Sequence, residues 1–147
     1  HGALWIALAD YLDAQWQREL GVGVRWEHVP WEEYLDRLQK GQDHLHLRGW
    51  LADYPDPDNF LRVGMFLKET GWRNELYEDL VERARRITDQ EERMKLYQQA
   101  DRILIEEAVV LPYVYVVGHV LVKPWVARYP TSPIKSAFWK DVIIEPH

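Results

Sequence analysis

The 147-residue sequence contains no cysteine, which excludes a disulfide framework, a thiolate nucleophile and a thiolate zinc knuckle but leaves the compartment open. Serine is almost as scarce, with Ser132 and Ser136 alone. There is no Gly-x-Ser-x-Gly elbow, phosphate loop, dinucleotide fingerprint or His-Glu-x-x-His helix, so nucleophilic, nucleotide and zinc-protease chemistry have no visible machinery. Lys and Arg never run beyond two in a row, and 18 basic against 24 acidic residues leave a formal charge of −6. An acidic chain without a basic stripe lacks what phosphate neutralisation needs, which argues against a nucleic-acid partner. No apolar run approaches the roughly 20 residues that span a bilayer. Internal repeats and low-complexity stretches are missing too.

What remains is an ordinary globular balance, 47% hydrophobic and 29% charged, enough for one domain or a piece of a larger one. His1 opens the chain almost inside a helical pattern, with no initiator Met and no basic-then-apolar leader, which points to a processed chain or an excised fragment. Aromatics are dense, with 8 Trp, 8 Tyr and 3 Phe. Such residues line binding surfaces and also fill cores.

Leu4, Leu8, Leu12, Trp16 and Leu20 recur every fourth position and meet Gly21, predicting a helix over 3–20. Val22, Val24 and Trp26 alternate with Gly23, Arg25 and Glu27, predicting a strand. Trp31, Leu35 and Leu38, closed by Gly41, predict a helix over 31–40, and the alternation of His44 and His46 with Leu45 and Leu47 predicts a strand over about 44–50. Strand, short helix, strand is the minimal parallel crossover, so the class read from the pattern is α/β. In open sheets of that kind ligands sit beyond the carboxyl ends of the strands, here Gly49 to Asp53.

Farther on, Leu76, Leu80, Ala84 and Ile87 share a helical face, with Asp79 to Arg83 and Glu82 to Arg86 pairing on the exposed side. Thr88 and Glu91 form a capping box for a second helix whose stripe is Leu96, Tyr97, Ala100, Ile103 and Leu104. Val109 to Val117 and His119 to Val122 read as strands interrupted by Pro112 and Gly118, and Asp141 to Glu145 as a short last one.

Three groups of residues invite a chemical reading. Asp53, Asp56 and Asp58 with Asn59 look like a hard-cation loop, but the alternating oxygen ligands, mid-loop Gly and distal Glu of a calcium site are missing. Asp56 before Pro57 reads better as the N-cap of a short helix starting at the proline. Asp53 precedes the turn with no local backbone job, so its carboxylate is a candidate partner for a ligand cation. His44 and His46 could share a metal, yet two ligands without a third make a weak site, and a solvated face is the simpler account. With Asp53 they form the one metal-assisted hydrolase alternative.

The run Gly49-Trp50-Leu51-Ala52-Asp53-Tyr54-Pro55-Asp56-Pro57-Asp58-Asn59-Phe60-Leu61 resembles the family 5 solute-binding proteins of oligopeptide, dipeptide and nickel ABC importers. So do Glu92-Arg93 through Leu96-Tyr97 and Ala100-Asp101, Val110-Leu111-Pro112-Tyr113, Leu121-Val122-Lys123-Pro124-Trp125-Val126 and Lys140-Asp141-Val142. The likeness covers nearly the whole chain, is to the carboxyl-terminal part of that family, and is closest to its oligopeptide-binding members. It implies a partial lobe of the two-lobed periplasmic-binding-protein fold of the cluster C type, a mixed sheet flanked by helices. Residues 1–118 would belong to the ligand-binding carboxyl-terminal lobe, and 119–147 would return to the first lobe.

The implied function is peptide capture for uptake, without catalysis, cofactor or metal, with the ligand enclosed between lobes and passed to permease transmembrane subunits. The implied location is periplasmic, or extracellular and anchored by an N-terminal lipid if the protein is a lipoprotein. In the family the segment matching Gly49 to Asp53 borders the cleft, and Asp53 stands where a carboxylate meets the peptide α-ammonium. Backbone groups of Gly49 and Leu51 would pair with the peptide main chain as an added strand, while Trp50 would wall the cleft or simply fill the core. Some relatives have an arginine two residues before the glycine of the Gly-Trp pair, suited to a peptide carboxylate. Here that position is Leu47. Other members of the family bind nickel complexes, sugars or haem, so Asp53 favours an amine-bearing solute without naming it. A free-standing interaction domain is the third class of reading.

Overall fold

The computed structural model describes residues 2–41, 44–64, 70–132, 134 and 138–146. The chain divides into two compact units, His1–Asp43 and His44–His147. In the first, α1 (Gly2–Leu20) ends where Gly21 takes the left-handed conformation at φ 68°. Trp16 on this helix stacks on Trp26 with ring centroids 6.3 Å apart, and the Val24 amide donates to Asp13 at 2.7 Å. α2 (Trp31–Lys40) has Glu32 and Glu33 in its first turn and Arg37 and Lys40 in its last, which suits the helix dipole at both ends. Ala9, Leu12 and Leu38 are its unit's buried apolar residues.

The second unit is built on a helical hairpin. α4 (Glu75–Ala84) and α5 (Gln90–Glu106) pack together, and the short α3 (Asp58–Leu61) packs on α5. The core consists of Leu61, Tyr77, Leu80, Val81, Ala84, Leu96, Tyr97, Ala100 and Leu104, with Trp72, Ile87, Ile103 and Val109 against it. The expected α4 face keeps Leu80 and Ala84, but Tyr77 is buried in place of Leu76, which is 59% exposed. The reason is that the Tyr77 phenol carries more apolar area than Leu76 and also has a partner, donating its hydroxyl to the Leu61 carbonyl. The cap of α5 is likewise displaced by one: Asp89, not Thr88, accepts from the Glu92 amide at 2.8 Å. A carboxylate at this position also meets the positive end of the dipole, which a hydroxyl does not. The Asp79–Arg83 and Glu82–Arg86 pairs form as the spacing predicts.

α5 closes with Ala108 at φ 53°, the single non-glycine residue in this region among those described, while the Val109 amide reaches back to the Leu104 carbonyl at 2.9 Å. Glycine is the residue suited to such a terminus, because a Cβ is crowded there by about 1 kcal/mol. Ala108→Gly is therefore expected to stabilise the chain by roughly 0.5–1 kcal/mol despite the looser unfolded state, as read by denaturant titration. A loss of stability would show that the alanine methyl packs usefully.

The only ladder among the described residues is antiparallel, β1 (Val126–Arg128) with β2 (Ile143–Ile144), following a single 3₁₀ turn at Trp139–Asp141. The expected strands at 22–27, 44–50, 109–117 and 119–122 form none, and the strand–helix–strand crossover is not closed here. Alternation in a sequence marks an apolar face, but a strand exists only where a second backbone supplies its hydrogen bonds, and that partner is not local. No described helix is long and apolar enough to cross a membrane.

Candidate functional site

The segment Gly49 to Asp53 leads into a turn whose polar side chains are almost all committed. Asp56 Oδ1 accepts from the Asp58 amide at 2.9 Å, and its carbonyl from the Asn59 amide at 3.0 Å. Pro57 already has helical dihedrals, φ −55° and ψ −28°. Asp56 thus caps the short helix, as the Asp-Pro pair predicts, although regular α3 starts one residue later. It also holds Arg93 of α5 in a two-pronged ion pair, with Nη2 to Oδ1 at 2.6 Å. Asp58, 5% exposed, takes four hydrogen bonds: Arg62 Nε at 2.7 Å and Nη2 at 2.5 Å, Tyr54 hydroxyl at 2.7 Å, and Tyr97 hydroxyl at 3.2 Å. Burial pushes its pKa up, but the Arg62 guanidinium and the two phenols prevail and hold it below the usual carboxylate value.

Asn59 is fully buried, 0% exposed. Its Oδ1 accepts from Trp50 Nε1 at 2.8 Å and from the Asp53 amide at 3.2 Å. Its Nδ2 donates to Asp53 Oδ2 at 3.4 Å. One carboxamide therefore ties α3 to both ends of the run from Trp50 to Asp53.

The residues expected to meet ligand are placed as follows. Trp50 is half-buried and held by Asn59, so its indole is part wall and part packing. Gly49 and Leu51 are exposed, Leu51 by 70%, and their amides and carbonyls make no hydrogen bond among the described residues. Asp53 is exposed and, among the described residues, forms no ion pair with Lys or Arg. His44 is exposed and His46 half-buried. No three His, Asp or Glu side chains among the described residues gather as a metal site, so His44, His46 and Asp53 do not come together as the hydrolase alternative requires. That trio assumed a flat strand ending at the acid, and the segment carries no ladder to hold it flat.

Two hollows lie elsewhere. One, of about 580 Å³, is lined by Leu61, Arg62, Tyr77 and the outer face of α4. The other, of about 450 Å³, collects Arg62, Arg85, Arg86 and Arg93 around Tyr54, Asp56 and Asp58, but each arginine there already has a carboxylate partner, Arg62 in Asp58, Arg93 in Asp56, and Arg85 and Arg86 in a shared Glu82. Hollow volume is a poor guide in this protein. Gly49 and Leu51 lie outside both hollows, on an exposed stretch that encloses nothing by itself.

Asn59 escaped the sequence reading, in which it counted only as a possible oxygen ligand of a cation loop. Its signal was the sequence Asp58-Asn59-Phe60-Leu61, where a polar residue beside two apolar ones in a short helix must either face water or find partners.

Gly49 and Leu51 thus carry backbone groups without partners among the described residues, a few residues before an exposed carboxylate, and comparison with known proteins supplies the class. No family model matches the chain. It is 29% identical over its full length to the periplasmic oligopeptide-binding protein OppA of Salmonella typhimurium, of which it spans 27%. It is 32% identical over 92% of its length to the probable deoxycholate-binding periplasmic protein YgiS of Escherichia coli, spanning 26% of it. Its structure matches the unliganded open form of the periplasmic murein tripeptide binding protein MppA, with a TM-score of 0.73, 25% identity, and coverage of 95% of this chain and 28% of that one. The chain is a homologue of the family 5 solute-binding proteins and has part of their fold. It spans about a quarter of the length of these relatives, which are named as binding proteins, not as enzymes.

Proposed function

We propose that this chain is the carboxyl-terminal portion of an extracytoplasmic solute-binding protein that captures peptides and presents them to an ABC permease. The observation that carries the reading is the exposed Asp53 carboxylate, without a cationic partner among the described residues, beside the unpaired backbone of Gly49 and Leu51. A peptide laid along such an edge would exchange main-chain hydrogen bonds regardless of its sequence, and its α-ammonium would meet Asp53. Charge-assisted hydrogen bonds are the strong ones, and closure of a second lobe would spare this one from salt screening. Residues 1–118 would form the ligand-binding lobe and 119–147 would cross back to the other. In support, Tyr115 and Leu121 are 99% and 100% exposed within an apolar stretch that has no ladder partner among the described residues.

The work such a protein performs is differential binding, since ligand must favour the closed state for a permease to sense loading. No covalent step enters the reading. The location is periplasmic, or extracellular with a lipid anchor upstream. The bile-acid ligand named for one relative fits less well, because its anionic group would meet Asp53. The test is calorimetry on the complete binding protein with tri-alanine and N-acetyl-tri-alanine. Acetylation, or Asp53→Asn, is expected to weaken binding by about 1.5–3 kcal/mol, roughly 10- to 150-fold. Equal affinity for the two peptides removes the ammonium from the site.

A further inference from the structure

We propose that Asn59 is the positioning residue of the amine subsite: its carboxamide sets where the Asp53 carboxylate stands and which oxygen it offers. This rests on the reading of Asp53 given above. The orientation of the amide follows from its neighbours. Trp50 Nε1 and the Asp53 main-chain amide are both obligatory donors, so the atom they share must be the carbonyl oxygen, and both of its acceptor sites are filled. The NH₂ group is then turned to Asp53 Oδ2 at 3.4 Å. Oδ1 of Asp53 is left without a partner among the described residues.

A carboxylate on an irregular, exposed segment would ordinarily sample several rotamers, and each would have to be given up when a ligand binds. Asn59 removes part of that cost beforehand, because it is itself immobile at 0% exposure on a short helix anchored by the Asp58–Arg62 and Asp56–Arg93 pairs. Burying a carboxamide is unfavourable unless its hydrogen bonds are met, and here one of its two sides is met only by groups of the binding segment. Trp50 shares that oxygen but is also half-buried, so its packing, and not Asn59 alone, keeps the indole in place.

The proposal separates from a purely structural role by the ligand that reports it. In the complete binding protein, Asn59→Ala is expected to weaken tri-alanine about 10-fold and N-acetyl-tri-alanine less than about 2-fold, because the lost order acts only through the amine contact. In an Asp53→Asn background the same change is expected to cost nothing further. Equal weakening of both peptides, or none of either, overturns the positioning role while leaving the ammonium reading intact. Failure of the unmodified protein to distinguish the peptides overturns that reading itself.

Should Asn59→Ala not fold, Asn59→Asp keeps the shape and both acceptor contacts but sets a second carboxyl group against Asp53 Oδ2. Two carboxyls that close share a proton. The nearby Asp58 is held ionised by Arg62, Asp56 is paired with Arg93, and the Tyr54 and Tyr97 phenols do not titrate in this range. Discrimination between the two peptides is then expected to change several-fold between pH 5 and 7, where the peptide ammonium stays charged, in the variant and to stay level in the parent. A level profile in both sinks the proposal.

Discussion

Tyr97→Ala is expected to cost about 3–5 kcal/mol of stability, the range for deleting a large aromatic from a packed interior. For a chain of this size that corresponds to a fall in melting temperature of roughly 10–20 °C. Tyr97 lies in the hairpin core at 1% exposure, so its truncation leaves a cavity between packed helices that relax only in part. Its hydroxyl adds a second function by donating to Asp58 Oδ1 at 3.2 Å, and the Arg93 guanidinium lies over its ring at 5.2 Å. Tyr97→Phe isolates the polar part. It keeps the volume and is expected to cost about 1 kcal/mol, the net worth of one buried hydrogen bond. Denaturant titration of the two variants in the full chain separates the effects. Equal losses would mean that the hydroxyl, not the ring, carries the stability.

The hairpin that contains Tyr97 was legible in the sequence because helices report themselves locally. The periodic stripes at Leu80, Ala84, Leu96, Tyr97, Ala100 and Leu104 are the buried faces, and Gly21 and Gly41 end α1 and α2 with positive φ. The one-residue errors at Leu76 and Thr88 have a common cause. In each case an adjacent residue, Tyr77 or Asp89, offers the same local fit and an additional hydrogen bond or charge contact. The strands were not legible, since Val22 to Trp26 and Val109 to Val122 have the composition of strands and find no ladder partner among the described residues. Composition states readiness for a ladder; only a distant backbone completes it. At the site, the sequence pointed to Asp53 through family resemblance and an unassigned carboxylate. It hid Asn59, because a buried carboxamide and an exposed one are spelled alike.

The same blindness applies to Asp58, which the sequence offers as one more acid in a turn and the structure makes the hub of the segment. Four donors converge on a carboxylate that is 5% exposed, so its removal strands the Arg62 charge and both tyrosine hydroxyls at once. Breaking a buried, hydrogen-bonded pair from one side costs about 3–5 kcal/mol, and Asp58→Asn is expected at the lower end because Arg62 is 38% exposed and can turn to water. The pH dependence identifies the charge as the cause. The folded pKa of Asp58 lies below its ordinary value of about 3.9. Its contribution is therefore complete above that value, and it is lost as acid drives the pH down through the folded pKa, where the folded state must finally take up the proton that the unfolded state already holds. The stability difference between the parent and Asp58→Asn is thus expected to be constant from about pH 5 to 7 and to shrink steadily below about pH 4, as followed by urea titration at each pH. A difference that stays level into strong acid would show that Asp58 holds the turn by shape and neutral hydrogen bonds alone. The anchoring of Asn59, and through it the presentation of Asp53, would then owe nothing to the Asp58–Arg62 charge pair.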